Sequence, residues 1–285
     1  MNDPEERAHR PPRRQTRFLK RHTVLSDHHG FVTRLYKLGI VSLSFDTYEE
    51  LAVYPDCKYA VDTADHIRTL TGRVESLNFV GDMLWPEPLP KTFIDMPISR
   101  YDWLTIIVDV YLARYASVAD CAMVLVNQVY ELGLPLRDCK INSISRSGLP
   151  HNLIELLRSI LNDQELVRGE RNARFHHGQE RSFTDDDMSF KLASIWIDKG
   201  PGIKGNDRWG RKIDVDIAFR EGLVRLQREF NQHVEMMQGQ LNALYDLLWD
   251  EFEDRWGRMV SRATHGLNAR STTPKMPSVR PDRNA

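Results

Sequence analysis

Leu223, Leu226, Phe230, Val234, Met237, Leu241, Leu244, Leu248 and Phe252 follow one another at intervals of three or four residues. That spacing lays a continuous apolar stripe along one face of an α-helix. No proline interrupts the stretch from about Asp216 to Arg262, so the spacing predicts a single long helix. Its first use is bundle core, and its distal part, Trp249 to Met259, could also pack on a second subunit.

The same period recurs upstream. After Ser99, a candidate N-cap, come Leu104, Ile107, Val108, Tyr111, Leu112 and Tyr115, and then Cys121, Val124, Leu125, Val129 and Leu132, with Gly133 and Pro135 as the stop. We read these as two helices joined by a short link, and hence as antiparallel neighbours. Leu153, Leu156, Leu157, Ile160 and Leu161 open a third helix that runs with interruptions toward His176, with Gly178 as its latest end. Asp185 to Asp187 offer N-caps to a short helix containing Met188, Leu192, Ile195 and Trp196. Nearer the N-terminus, Ile67, Leu70, Val74, Leu77 and Val80 predict one helix within Val61 to Met83. The alternation Val41, Leu43, Phe45 suggests a short strand or, nearly as well, a buried loop.

Punctuation between these segments sets the organisation. Trp85-Pro86-Glu87-Pro88-Leu89-Pro90 stops any helix and marks a boundary, and Gly200, Pro201, Gly202, Gly205 and Gly210 predict a loop. The expected fold class is mainly α: a helical bundle over residues 99–262 with a long C-terminal helix, preceded by a smaller mixed or helical segment over residues 22–98. Residues 1–21, basic and proline-bearing, read as a disordered arm, and residues 263–285 as a disordered tail.

Composition narrows the function classes. The 285 residues carry 39 basic and 40 acidic side chains, a formal charge of -1, so no global field advertises a polyanionic partner and any nucleic-acid contact must be local. Cys57, Cys121 and Cys139 are odd in number and far apart, which argues against a disulfide framework or zinc knuckle and for a reducing cytoplasm. The longest apolar run, Trp103 to Val110, contains Asp109 and falls far short of the roughly 20 residues that span a bilayer. The N-terminal stretch has no apolar core of a secretory signal.

The candidate chemistry sits in Glu170-Arg171-Asn172-Ala173-Arg174-Phe175-His176-His177-Gly178. On an ideal helix Asn172 and His176 share a face, whereas Arg171 lies about 140° round from His176, so the pair converges only if the helix ends or loosens there. An imidazole ordinarily titrates near neutral pH and can move a proton, while a guanidinium can hold two phosphate oxygens. That pairing suits phosphodiester chemistry: His176 as general base or acid on a ribose 2'-hydroxyl, and Arg171 against the charge on the phosphoryl oxygens, with no metal or other cofactor required. Arg168, Arg174, His177 and Arg181 extend the site as candidate substrate contacts, interleaved with Asp163, Glu165, Glu170 and Glu180, while Phe175 reads as core.

Arg171-Asn172-Ala173-Arg174-Phe175-His176 resembles the Arg-Asn-x-x-x-His form of the motif that defines the HEPN superfamily. The expected helix order is similar too: two early helices joined by a tight antiparallel turn, a motif near the end of a later helix, and a closing helix. Within that superfamily, residues 101–178 look like those of bacterial stand-alone HEPN proteins. The resemblance covers roughly residues 99–262 and implies a metal-independent endoribonuclease cutting single-stranded RNA at the cleft of a homodimer. By position Arg171 and His176 become the catalytic pair and Asn172 their polar companion. A toxin or phage-defence role, with an antitoxin or regulatory partner, is what the wider family leads one to expect. The alternative the family also contains is a non-catalytic scaffold that binds RNA or a nucleotide.

Other groupings carry less. Adjacent His28 and His29, beside Asp27, point apart on any regular element and have no third ligand at useful spacing, so no metal site is assigned. Lys199 to Gly205 is Gly-rich and basic but lacks the Gly-Lys-Ser/Thr ending of a phosphate-binding loop. Arg7, Arg10, Arg13, Arg14, Arg17, Lys20 and Arg21 could add a non-specific RNA contact.

Overall fold

The computed structural model describes residues 16–86, 88, 98–197 and 203–263. It is mainly α-helical, and among these residues no strand forms beyond an isolated bridge between Asn206 and Lys212. In chain order the helices are α1 (Gly30–Gly39), α2 (Tyr48–Ala52), α3 (Pro55–Leu84), α4 (Arg100–Val129), α5 (Ile141–Ile144), α6 (His151–Asp163), α7 (Glu165–His177), α8 (Asp187–Ile197) and α9 (Val215–Arg262). Short 3-10 turns occupy Ile40–Ser44 and Leu136–Asp138. None of the helices is long and apolar enough to cross a membrane.

The long C-terminal helix appears as read, 48 residues without a break. Two expectations need correction. Residues 100–129 form one helix, α4, and not two joined by a turn. The stretch taken for a link contains neither glycine nor proline, and its Ala116, Val118, Ala119 and Ala122 are buried. Alanine is the best helix former and packs without a large side chain, so it thins the apolar stripe without breaking the helix. The alternation at Val41, Leu43 and Phe45 is also not a strand: Val41 is buried and Leu43 is 82% exposed because a 3-10 turn has a three-residue period. The segment before residue 99 is therefore helical among the described residues.

The N-terminal arm is likewise shorter than expected. Leu19 N–H donates to Gln227 Oε1 at 3.0 Å, Trp85 Nε1 donates to Leu19 O at 2.7 Å, and Arg21 pairs with Asp82. Residues 1–15 and 264–285, the rest of the expected arm and nearly all of the tail, lie outside the described residues.

The chain divides into two compact units, neither of them continuous in sequence. The first collects the described residues within 16–23, 77–113 and 167–235. Its core gathers Leu84, Leu104, Ile107, Val108, Phe183, Leu223 and Phe230, with Tyr101 set edge-on to Phe183 and Phe190 at 5.5 and 5.6 Å. Gln227 is fully buried, and its amide is satisfied on both sides, donating to Leu84 O at 2.7 Å while accepting from Leu19. Ser99 caps α4 reciprocally, its Oγ accepting from Asp102 N–H and its own N–H donating to Asp102 Oδ2.

The second unit collects residues 24–76, 114–166 and 236–263 among those described. Pro55 opens α3 at the position where a missing N–H is harmless. Phe31, Leu35, Ile67, Leu70, Leu244, Tyr245 and Phe252 are fully buried or nearly so. Tyr59 stacks on Phe252 at 5.3 Å and donates its hydroxyl to Val129 O at 2.7 Å. The distal part of α9 finds partners within its own unit: Phe252 stacks on Trp256, Arg34 lies 4.9 Å over the Trp256 ring, and Arg34 Nε donates to Glu253 at 2.8 Å.

Packing at one glycine gives a test. A methyl at Gly222 would overlap Leu104 Cδ1 and sit 3.3 Å from Phe183 Cβ, both fully buried, whereas Gly239 in the same helix has nothing within 4 Å. Gly222→Ala gains about 1 kcal/mol of helix propensity, but overpacking costs roughly 1–3 kcal/mol. The expected outcome is a lower thermal midpoint for Gly222→Ala and a higher one for Gly239→Ala, measured by circular dichroism.

Candidate functional site

α7 follows α6 after a single residue. Gln164 caps α6 and is buried, donating to Tyr115 O at 3.1 Å, so the predicted interruption falls there. α7 stays helical through His177 and stops at Gly178, whose φ of 63° is the left-handed conformation glycine accepts without strain. Gly178 N–H closes on Arg174 O at 3.1 Å and Gln179 N–H on Ala173 O at 3.3 Å. The helix therefore does not loosen ahead of His176, and within one chain Arg171 and His176 keep the roughly 140° separation of an ideal helix.

Two sectors of α7 differ in what their charges do. On one, Arg174 is almost fully buried and its Nε donates to Asp109 Oδ1 on α4 at 2.7 Å. Arg181, just past the helix, is held between two carboxylates: Nε donates to Glu170 at 2.6 Å and Nη1 to Glu229 on α9 at 2.7 Å. Burial pushes the Arg181 pKa down, but the hydrogen bonds from Glu170 and Glu229 outweigh it and leave the guanidinium more firmly charged than usual. These two arginines, expected as substrate contacts, thus anchor α7 within the first unit. Between them opens a polar cleft of about 380 Å³, lined by Glu170, Arg174, Gln179, Arg181, Arg225 and Glu229.

The other sector faces solvent. Asn172, Phe175, His176 and His177 are exposed, and Arg171 is half-buried. Arg171 donates from Nε and Nη2 to Asn172 Oδ1 at 3.2 and 3.0 Å, and among the described residues it pairs with no carboxylate. The His176 and His177 rings stand 6.5 Å apart. Arg168, two turns ahead of Phe175, is half-buried. Phe175 corrects its expected core role: it is 58% exposed. The helix buries Val167 instead.

Sequence reading missed Glu229 and Arg225, which complete the polar cleft, and Asp109, which pairs with Arg174, because they lie some 50 to 65 positions from the motif and share no local pattern with it. It also missed His233, whose ring stacks against Tyr111 and bonds to its hydroxyl. Burial lowers the His233 pKa, Arg181 lowers it further, and Glu229 opposes both. His29 Nδ1 caps α1 by accepting from Phe31 N–H, and its Nε2 lies 3.1 Å from Asp246. Among the described residues no group of three or more His, Cys, Asp or Glu is arranged to hold a metal. Part of the Gly-rich segment, residues 199–202, lies outside the described residues; beyond it Asp207 closes a tight turn by accepting from Arg211 Nε at 2.6 Å. No family model, curated protein or solved structure matches the chain.

Two expectations follow from the anchoring groups. Arg181→Met strands Glu170 and Glu229 beside each other, and because both carboxylates keep about a quarter of their exposure the loss of stability should be roughly 2 kcal/mol, below that of a fully buried broken pair, read by urea denaturation. His233, with its folded pKa depressed, contributes stability in full above its unfolded value of about 6.5 and loses it as pH falls through the folded value. The melting temperature of His233→Gln should accordingly fall less than that of the wild type between pH 7.5 and 5.

Proposed function

We propose that the solvent-facing sector of α7 is a metal-independent RNA-cleaving site of HEPN type, with Arg171 and His176 as catalytic residues and Asn172 as their companion. The observation that supports this is a contrast around one helix: Arg174 and Arg181 are neutralised by carboxylates, while among the described residues the Arg171 guanidinium hydrogen-bonds to the Asn172 amide and to no carboxylate, and His176 stands open to solvent. A guanidinium bound to a neutral amide exchanges that contact for a phosphate at little cost, whereas one held by a carboxylate does not. His176 can then take a proton from a ribose 2'-hydroxyl, or return one to the leaving 5'-oxygen, while Arg171 stabilises the crowded phosphoryl oxygens.

Because the two side chains diverge on a regular helix, a second copy of the chain supplies the missing half: Arg171 of one protomer works beside His176 of the other in a homodimer cleft. Such a protein acts in the cytoplasm on single-stranded RNA, as a toxin or phage-defence effector under the control of an antitoxin or regulatory partner. A second reading, a non-catalytic RNA- or nucleotide-binding scaffold, is favoured by that same divergence and by the undivided α4, which departs from the two-helix order of the family.

An RNA degradation assay with chelator present separates them. Wild type should cleave, and His176→Ala and Arg171→Ala should each lose at least about a hundredfold in rate, the scale of a removed general acid or base. Undiminished cleavage by both variants, or none by the wild type, rejects the nuclease reading.

A further inference from the structure

Phe175 is a large aromatic side chain left 58% exposed near the C-terminal end of α7, two turns beyond the helix's other exposed large apolar residue, Leu166 at 87%. The neighbours of Phe175 follow from the helix: Asn172 and Arg171 lie three and four residues before it, and Arg168 seven, so the ring shares its face with an amide and guanidinium groups, the chemistry that can bind phosphate oxygens. The adjoining surface is open, since a methyl at Gly169 or at Gly178 would meet nothing within 4 Å. The buried contacts of this helix are Val167 and the Arg174 ion pair, while more than half of the Phe175 surface stays open to solvent.

An exposed ring flanked by arginine and amide side chains has the chemistry of a single-stranded nucleic-acid platform: cations track the backbone while a base stacks on the aromatic face. A duplex, whose bases are already stacked on one another, offers no free face to such a ring. We infer that Phe175 is a base-stacking, specificity-determining residue of this site, holding an unpaired nucleobase next to the phosphate gripped by Arg171. The inference rests on the proposed function for the identity of its ligand, RNA, and not for the cleavage step.

The two are separable in the full-length chain carrying His176→Ala, in which cleavage is removed and binding of a labelled single-stranded oligoribonucleotide can be followed by anisotropy. Adding Phe175→Ala should weaken that binding about tenfold, within the range of one lost base stack, while Phe175→Trp retains it and a duplex of the same sequence is unaffected. Unchanged affinity in Phe175→Ala, or no single-strand binding in the parent, overturns the stacking role. A shift of Phe175→Ala from dimer to monomer in sedimentation, with the oligonucleotide affinity of the monomer intact, overturns it as well and makes the ring a subunit contact. If the wild type fails to cleave but binding depends on Phe175 as described, the nuclease reading falls and the stacking role stands. If the wild type cleaves with a KM that Phe175→Ala leaves unaltered, the reverse holds.

Discussion

Both cores are built on one element, the 48-residue α9. Its Phe219, Leu223, Leu226 and Phe230 belong to the first unit, and its Leu241, Leu244, Tyr245, Leu248 and Phe252 to the second, all at most 2% exposed. Burying each such side chain stabilises the fold by about 1.5–3 kcal/mol, an upper figure because the unfolded chain already hides part of its apolar surface. Helix propensity differs among most residues by only a few tenths of a kcal/mol, so the length of α9 is set by its unbroken stripe. An interruption in that stripe would remove buried side chains from the core of either unit.

The stripe explains what could be read without coordinates. α9, α3 and the end of α7 at Gly178 are visible because apolar spacing and terminators are local signals. The continuity of α4 is hidden where alanines at 116, 119 and 122 stand in for larger side chains, since an alanine can be buried and yet add little to a hydrophobic pattern. Residues 40–44 mimic strand alternation because any two positions two apart in a three-residue turn also separate onto different sides. Phe175 shows the converse: apolar identity predicts burial on average, but the helix had already satisfied its packing through Val167.

The candidate site was legible only in part, for an electrostatic reason. The spacing Arg171, Asn172, His176 is local and survives folding on a regular helix, with Asn172 and His176 exposed and Arg171 half-buried about 140° round from His176. Which of the arginines nearby are available is not local. Arg174 and Arg181 look as exposed in sequence as Arg171, and it is Asp109 and Glu229, brought in by α4 and α9, that withdraw them. A near-zero net charge is thus compatible with a local cationic patch where the fold leaves a guanidinium without a carboxylate, as it does at Arg171 among the described residues.

That withdrawal also has a mechanical consequence. A helix of 13 residues with a single fully buried side chain is poorly located by apolar packing. The carboxylates supply what packing does not: Asp109 fixes the helix through Arg174, and Glu229 fixes the chain just past its end through Arg181, which also grips Glu170 on the helix itself. Bonds on two sides of one short segment leave it little freedom to rotate about its axis, so the direction of the outward sector is determined by ion pairs on the opposite side. The paired charges on one side of the helix therefore fix the direction in which Asn172, Phe175 and His176 project on the other.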